Sequence, residues 1–379
     1  MIPFTGLERY KGNQNLIQCV LMSVLSSYAN EPLHLHAEGL RGTGKTTIMR
    51  SVRDILPSIT RIKGCIYNCD PGNPHCPEHR HLSTEEITAI GWEEIPMPFL
   101  EISHSAKVGT VAGSIDLARL TDISNPEAQL LPGLIPQAHR GIIFIDEINR
   151  LADTSPEITD ILLDVMGNKP GHIQIEEAGL PAVEIEVQVS VWAASNPDEE
   201  PGPLEEIRRQ LSDRFDLVCF MGRPDSVETV ARILADNSYA CRVRNTARYS
   251  KTKIPVDDSY RQQLLKWANQ YQAIYMPDFL RKYIARLYIR YNLESIRAIE
   301  AIQQAALLQA VMQGREKVLV SDVNQVIPLA LKHRVDSDTL LRIMKDMEGQ
   351  GDGILRFKNP TNDKQQGNNS EYFQHQAAY

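Results

Sequence analysis

The stretch from Glu38 to Thr47, Glu-Gly-Leu-Arg-Gly-Thr-Gly-Lys-Thr-Thr, constrains the fold more than any other part of the chain. It matches the spacing of a phosphate-binding loop, in which glycines let backbone N–H groups face one anion and a following helix adds the positive end of its dipole. An apolar run at 33–37 precedes the loop, and a helical pattern at 46–56 follows it. Because the motif requires a strand before it and a helix after it, the stretch predicts nucleotide binding. The alternative is an ordinary glycine-rich turn.

The residues predicted to hold the nucleotide come from this loop and from one later segment. In such loops the lysine reaches the β- and γ-phosphates, and the hydroxyl after it ligates Mg²⁺. These roles fall to Lys45 and Thr46. The predicted set is Gly39, Gly42, Thr43, Gly44, Lys45, Thr46, Thr47 and Asp146.

Asp146 and Glu147 follow four consecutive apolar residues that begin after Gly141. Such a run indicates a buried parallel strand, and ligands bind at the carboxyl ends of strands in open α/β sheets. We expect Asp146 to complete the Mg²⁺ shell with Thr46, and Glu147 to polarise the attacking water. The alternative is an acidic start to a helix, which the upstream phosphate loop disfavours.

Two further segments carry candidate catalytic residues. A second buried strand, over 189–195, ends at Asn196, whose amide can hydrogen-bond the attacking water or the γ-phosphate; by itself, Asn-Pro is more simply a turn. A predicted helix over 205–215 places Arg208, Arg209 and Arg214 near its end. They are either surface arginines or an arginine finger that stabilises phosphoryl-transfer charge in a neighbouring subunit.

Residues 64–96 interrupt the α/β pattern with a loop-like, cysteine-rich insertion. Cys65, Cys69, Cys76 and His79 have the spacing Cys-x3-Cys-x6-Cys-x2-His, and four such ligands can close a tetrahedral Zn²⁺ site. The alternatives are redox-active thiols and cysteines with no special role. A compact cluster of this kind, in a chain without the pattern of a secreted disulfide scaffold, is more often metal-binding or redox-active than disulfide-locked.

Composition bounds the class of protein. The 379 residues give room for two domains, and Asp and Glu outnumber Lys and Arg by 48 to 40, for a net charge of −8. This balance argues against a broad basic surface for nucleic acid. No segment approaches the length of a membrane span, and the first residues lack the pattern of a signal peptide. We therefore expect a cytoplasmic protein with no membrane span and no nucleic-acid partner.

The hydrophobic pattern divides the chain in two. Residues 1–222 alternate between strand-like and helix-like segments around the phosphate loop, which predicts an α/β fold, and the alternation over 172–189 predicts a β-hairpin. From 223 to 348 helical periodicity dominates and predicts an all-helical second domain. The last stretch, 349–379, is rich in Gly, Asn and Gln and is expected to be flexible.

Taken together, these blocks resemble the AAA+ ATPase subunit of magnesium chelatase and, more broadly, the chelatase/MoxR branch of AAA+ proteins. The resemblance covers roughly residues 3–345. The cysteine cluster and the C-terminal stretch depart from the pattern of the photosynthetic chelatase subunits. The blocks that carry it are Phe4-Thr5, the phosphate loop, Gly-Ser-Ile-Asp at 113–116, Leu-Pro-Gly-Leu-Ile at 131–135, Arg-Gly-Ile-Ile-Phe-Ile-Asp-Glu-Ile-Asn at 140–149, Ser-Asn-Pro at 195–197 and Gln-Leu-Ser-Asp-Arg-Phe at 210–215.

The resemblance implies a P-loop αβα ATPase core with a C-terminal all-helical lid, ATP and Mg²⁺ as ligands, and a homo-oligomeric ring, a hexamer in this branch. It implies the sensor-1 role for Asn196, the arginine finger for Arg214 with Arg208 as a second interface candidate, and the sensor-2 role for Arg297. The hairpin at 172–189 would be the branch's insertion before sensor 1. The family's motor subunit works with a partner that carries a von Willebrand A-type domain.

Three functions remain open from the sequence. The first is an ATP-hydrolysing ring motor that remodels a partner protein. The second is a true chelatase motor for metal insertion into a tetrapyrrole or cobalamin precursor. The third is a nucleotide-gated scaffold with slow hydrolysis, against which the intact Asp146-Glu147 pair argues.

Overall fold

The computed structural model of the chain describes residues 3–115, 130–175, 183–236 and 258–349. Its strands are β1 Leu35–Glu38, β2 Ser58–Ile62, β3 Trp92–Pro96, β4 Phe99–Ile102, β5 Gly113–Ile115, β6 Leu130–Pro132, β7 Gly141–Asp146, β8 Gly171–Ile175, β9 Val183–Val187, β10 Val189–Ser195 and β11 Leu217–Phe220. The helices of the first part are α1 Gln14–Tyr28, α2 Lys45–Ser51, α3 Thr84–Ile90, α4 Val108–Val111, α5 Leu134–Gln137, α6 Ile148–Thr154, α7 Pro156–Val165, α8 Leu204–Ile207 and α9 Arg209–Arg214. The later helices are α10 Val227–Asp236, α11 Asp258–Tyr271, α12 Asp278–Arg290, α13 Ile296–Met312, α14 Val320–Leu331 and α15 Ser337–Gly349.

A five-stranded sheet forms the centre of the molecule, with the strand order β11-β1-β10-β7-β4 and every neighbouring pair parallel. Glu38 at the end of β1 is in register with Ser195 at the end of β10, and Ala194 is in register with Asp146 at the end of β7. The carboxyl ends of β1, β10 and β7 therefore meet at one edge. The loops that follow them are the ones expected to bind the ligand.

Both faces of this sheet are covered, as the unbroken apolar run of β7 requires. Ile142 and Phe144 of β7 belong to a core shared with α1 and the later helices, while Ile143 and Ile145 belong to a second core on the opposite face. The predicted αβα core with a C-terminal helical part is confirmed.

The later helices pack on the same side of the sheet as α1. Side chains of α13 bond directly to α1, where Gln304 Nε2 donates to Ser26 Oγ at 2.8 Å and Gln18 Nε2 donates to Gln309 Oε1 at 2.5 Å. Ala305 and Leu308 of α13 lie in the same apolar core as α1. Among the described helices, none is long and apolar enough to cross a membrane.

Four element predictions are wrong in detail. The predicted loop at 64–96 contains α3 and β3, and β3 pairs antiparallel with β2. Apolar residues at helical spacing predict one helix over 154–167, but α7 begins only at Pro156, because proline has no N–H and favours the first helical position, and Thr154 ends α6. The segment 131–138 also has a helical pattern, but the helix begins only at 134, because 130–132 pairs with β5. The helix expected over 205–215 is divided into α8 and α9 by Arg208.

Further differences concern segments that the sequence did not assign. The strand β11 and the helix α15 were not predicted. Ser321-Asp322 is a typical N-cap sequence and predicts a helix start there. This prediction is wrong, since α14 begins at Val320 and the Asp322 carboxylate accepts the Leu319 N–H at 2.8 Å. Strands β8 and β9 pair antiparallel as the arms of the predicted hairpin. The glycine-punctuated segment 108–120 predicts a loop that enters a short helix, and the end of that segment lies outside the described residues, as do the hairpin turn and the stretch from 350.

Candidate nucleotide-binding site

The phosphate loop joins β1 to α2, as the motif requires. Gly39 has φ +151, and a Cβ built there would lie 2.6 Å from the Met221 carbonyl oxygen. Gly44 has φ +100 and stands immediately before α2 in the left-handed region. Both positions therefore need glycine, one for close approach and one for backbone conformation. The loop borders a cleft of about 520 Å³ that is also lined by Tyr10, Met221 and Ile233.

Lys45 is bonded to the carbonyls of its own loop. Its Nζ donates to Gly39 O at 2.6 Å and to Leu40 O at 2.9 Å, and the residue is only 8% exposed. Burial lowers its pKa, although the carboxylates of Asp146 and Glu199 act in the opposite direction. The ammonium is thus already desolvated and held beside the loop where a phosphate would bind.

Thr46 and Asp146 come together across the sheet edge. The Thr46 hydroxyl lies 3.2 Å from both oxygens of the Asp146 carboxylate, and Arg50 Nη2 lies 3.7 Å from Asp146 Oδ2. A hydroxyl and a carboxylate are the hard oxygen ligands that Mg²⁺ prefers. The pair that the sequence proposed as a Mg²⁺ site therefore has suitable chemistry and proximity.

Glu147 lies one residue beyond the strand end, in an unusual conformation. Its φ of 57° and ψ of 51° are left-handed, which is uncommon for a non-glycine residue and typical of constrained sites. Its carboxylate forms an ion pair with Arg150 Nη1 at 3.0 Å. The backbone there turns sharply from β7 into α6 and keeps the carboxylate at the ligand edge.

Asn196 follows β10, the strand between β1 and β7, so it lies between the phosphate loop and the acidic pair. Its Oδ1 accepts the Asp198 N–H at 3.2 Å. This hydrogen bond forms an Asx turn, in agreement with the turn that the Asn-Pro pair by itself predicts. The sequence did not single out Asn149, although this buried amide donates to Asn196 O at 3.4 Å and to Gly202 O at 3.2 Å. Only its place in the Asp-Glu-x-Asn block could have signalled that role.

Arg214 and Arg297 lie together but apart from the phosphate loop. Arg297 Nη2 donates to Gly167 O at 3.1 Å, and a Cβ built on Gly167 would lie 3.1 Å from Arg214 Nη1. Burial and then the Arg297 charge lower the pKa of Arg214. Within the described part of the chain neither arginine forms an ion pair, so the two cations together favour an anion. Arg297 lines a cleft of about 820 Å³ that shares no lining residue with the loop cleft.

The end of α14 contacts both of these regions. Lys332 forms an ion pair with Glu38, directly before the phosphate loop. Arg334 pairs with Asp213 at 3.0 Å and donates to the carbonyls of Asp213 and Phe215 at 2.6 and 2.9 Å. No local sequence pattern indicates these contacts, because each partner lies more than a hundred residues away.

The cysteine cluster lies elsewhere, beside the segment that leads into β7. The Sγ atoms of Cys65, Cys69 and Cys76 and a ring nitrogen of His79 all lie within 4.8 Å of one another. The three cysteines are buried free thiols. The structure therefore brings together the four side chains that the sequence proposed as a set.

Comparisons with known proteins agree with this geometry. The family model of the AAA lid domain matches residues 281–348. The magnesium-chelatase 38 kDa subunit of Acidiphilium rubrum is 28% identical over 342 residues, which cover 90% of this chain and 92% of that one. The chloroplastic magnesium-chelatase subunit ChlI-2 of Arabidopsis thaliana is 28% identical over 93% of this chain and 78% of its own.

A solved structure supports the fold. The crystal structure of a provisionally assigned ATPase from Cytophaga hutchinsonii matches 92% of this chain with a TM-score of 0.54 at 18% identity. The fold, the phosphate loop with its acidic partner, and similarity along nearly the whole chain confirm the resemblance found in the motifs. The chain matches the AAA lid domain over 281–348, and about nine-tenths of its length is similar to magnesium-chelatase I subunits.

Proposed function

We propose that the chain is a Mg²⁺-dependent, ATP-hydrolysing ring motor whose site is shared between neighbouring subunits. The observation that carries the proposal is the separation of two half-sites on one chain. Thr46 borders one cleft, with Asp146 at its hydroxyl and Lys45 in the same loop. Arg297 borders another cleft, and Arg214 lies beside Arg297 at Gly167. Each half lacks what the other has: one holds phosphate and metal ligands, the other holds free positive charge.

In this proposal the loop and Lys45 bind the phosphates, with the cleft beside Tyr10 receiving the rest of the nucleotide. Thr46 and Asp146 would hold Mg²⁺, which offsets phosphate charge. Glu147 orients and polarises the attacking water, and Asn196 positions the water or the γ-phosphate. Arg214 of the next subunit, beside Arg297, stabilises the charge that develops as the phosphoryl group is transferred.

The domain assignment belongs to the same proposal. We assign 1–222 to the nucleotide-binding domain and 223–348 to the lid, with the hairpin at 172–189 and the insertion at 64–96 as additions to the core. A hexameric ring is the proposed assembly. The proposed partner carries a von Willebrand A-type domain, and its remodelling is the work done by hydrolysis.

A test of the shared site mixes two inactive variants. Glu147→Gln removes the water-activating group from the loop half, and Arg214→Ala removes the finger from the other half. In a ring assembled from equal amounts, roughly a quarter of interfaces pair an intact loop half with an intact finger, so phosphate release should recover toward that fraction of the wild-type rate. Light scattering with ATP checks that the mixed rings form.

The matched control mixes Glu147→Gln with Lys45→Ala. Both substitutions lie in the loop half of the site, so every subunit of the mixed ring has a damaged loop half and an intact arginine. No interface of that ring contains an intact loop half, so its activity should stay at background. Recovery in the control, or its absence in the test mixture of assembled rings, would contradict a shared site. A wild-type chain that assembles and binds ATP without releasing phosphate would favour the scaffold function.

A chelatase motor is the second candidate, and the sequence similarity to magnesium-chelatase subunits over about nine-tenths of the chain favours it. The two functions share the ATPase and differ in the client. Co-purification from the native cell separates them. A von Willebrand A-type protein supports the motor, a tetrapyrrole or cobalamin enzyme in addition supports the chelatase, and recovery of the chain alone contradicts both partner assignments.

A further inference from the structure

A cysteine-rich loop between β2 and α3 gathers four potential metal ligands outside the nucleotide site. We propose that Cys65, Cys69, Cys76 and His79 hold a structural zinc ion, independently of the proposed ATPase function. The four ligand atoms lie within 4.8 Å of one another. In a tetrahedral site with Zn–S bonds of about 2.3 Å, ligand atoms are roughly 3.5–4 Å apart, so small side-chain rotations suffice. Cys76 Sγ and His79 Nδ1 are already 3.0 Å apart.

The backbone around the cluster is arranged as zinc loops usually are. The N–H groups of His75 and Cys76 point at Cys69 Sγ, at 3.4 and 3.3 Å. His79 N donates to Cys76 O at 3.1 Å, which closes the turn between these two ligands. Such outer hydrogen bonds fix the ligand orientation and disperse the charge of a thiolate. They serve a metal-bound sulfur better than an ordinary buried thiol, which is a weak acceptor.

Side chains of neighbouring residues contact the four ligands and the backbone between them. His75 Nδ1 lies 3.2 Å from Cys69 Sγ, and the His75 ring stacks on His139 with centroids 3.7 Å apart. Arg61 donates to Cys65 O at 3.0 Å. Arg140 forms an ion pair with Asp70 at 3.0 Å. Three thiolates and one Zn²⁺ carry a net charge of −1, and the N–H groups that point at Cys69 Sγ disperse part of it.

A redox function accounts for less of this arrangement. A disulfide would use two of the three sulfurs, and it would leave the third thiol and His79 converging without a partner. Catalytic thiols are also partly exposed. Here Cys65, Cys69 and Cys76 are at most 1% exposed. Four protein ligands in a buried position are typical of a closed structural zinc site, since a catalytic site keeps one position open.

The cluster is docked against the segment before β7. Asn68 Nδ2 donates to Gln137 O at 2.6 Å, and Arg140 Nη1 donates to Thr60 O at 2.6 Å. These contacts and the His75–His139 stack join the loop to residues 137–140. The zinc would therefore hold a loop with little regular structure of its own against the start of the strand that ends at Asp146.

The test begins with the wild-type, full-length chain, purified under reductant without added metal. Plasma emission spectrometry should find about one zinc per chain and little iron. After the metal is removed, Co²⁺ should bind in a ratio of about one, with sulfur-to-cobalt charge-transfer bands and the visible bands of a tetrahedral site. Zinc should then displace the cobalt.

Variants identify the ligands. Cys76→Ser should lose the zinc, and His79→Ala should alter the cobalt spectrum. Two matched controls should keep the full zinc content. Cys219→Ser changes a buried cysteine outside the cluster and should leave the zinc affinity unchanged. His75→Ala removes a neighbour of Cys69 and should lower the zinc affinity about ten-fold. A wild-type chain that contains no zinc and binds no Co²⁺ would overturn the proposal, as would full zinc retention in Cys76→Ser. The proposal would also be overturned if Cys65, Cys69 and Cys76 were found in disulfide bonds.

Discussion

At the residue scale, the position of the Glu147 carboxylate depends on the backbone conformation of that residue. The left-handed conformation at the end of β7 places its carboxylate where the strand ends, and Arg150 forms the ion pair with it at 3.0 Å. Both partners are about half exposed, and exposed pairs contribute only about 0.3–0.5 kcal/mol. Arg150 can therefore release the carboxylate to a water molecule at little cost.

Glu147→Gln tests this residue directly. The amide keeps the size of the side chain but cannot accept a proton, so hydrolysis should fall by roughly 10²-fold or more while nucleotide affinity is kept. Phosphate release and binding of a fluorescent nucleotide measure the two effects. Asp153→Asn, an exposed acid of the same helix, should leave both unchanged. Near-normal turnover in Glu147→Gln would remove the assigned role.

The sequence predicted the side chains of the proposed nucleotide site better than the side chains that contact the backbone around it. Lys45, Thr46 and Asp146 belong to short motifs whose spacing follows from phosphate and metal chemistry. Asn149 and Lys332 act through backbone carbonyls and ion pairs across the fold. No local pattern reports such contacts, because they exist only after β1, β10 and α14 have come together.

At the scale of elements, the strands at the centre of the sheet were the easiest to predict. The strands β7 and β10 are long, apolar and end in polar residues, and both were placed correctly. The strand β11 was missed, since four residues after a helix give little periodicity and its identity depends on pairing with β1. The strands β2 and β3 were not predicted. They flank the cysteine-rich loop, and the loop-like composition of that segment obscured the short strands beside it.

The contact of Arg334, which follows α14, with Asp213 of α9 should contribute strongly to stability. Arg334 is 4% exposed in its side chain and bonded to Asp213 and three backbone carbonyls besides that of Ala330. Arg334→Ala would leave these acceptors without their donor, and it should lower the free energy of unfolding by about 3–5 kcal/mol. Urea denaturation followed by circular dichroism measures the loss.

The control for this contact is Arg209→Ala. Arg209 also pairs with an acid, Glu294 at 3.0 Å, but the two side chains are 76% and 79% exposed. Its removal should change the unfolding free energy by less than about 0.5 kcal/mol. Equal effects of the two substitutions would show that burial does not set the strength of the Arg334 contacts.

Across the whole molecule, buried histidines make stability depend on pH. Burial lowers the pKa of both His34 and His36 to about 4, from 6.5. Burial also lowers the pKa of His139 and His333. The unfolded chain therefore binds more protons than the folded one between the two values. The stabilising effect of the neutral rings is complete above the unfolded pKa and is lost as the pH falls toward 4.

We expect acidification from about pH 7.5 to pH 5.5 to remove roughly 1 kcal/mol of stability for each of His34 and His36. Urea midpoints at the two pH values measure this loss. In His36→Asn, which cannot take up a proton, the loss should be smaller by roughly 1 kcal/mol. An unchanged pH dependence in that variant would mean that His36 does not contribute.

The end of α14 has a consequence that is thermodynamic rather than geometric. Lys332 is tied to Glu38 before the phosphate loop, and Arg334 is tied to Asp213 beside Arg214. We expect that a change at Glu38 that displaces this helix terminus also alters the contact of Arg334 with Asp213, and the reverse. In the proposed ring, nucleotide would bind at the loop and a neighbour would dock on the arginine side. Linkage would then be reciprocal: the free energy by which nucleotide binding favours docking equals the free energy by which docking favours nucleotide binding. Titrating nucleotide at rising protein concentration would measure that shared free energy from either direction.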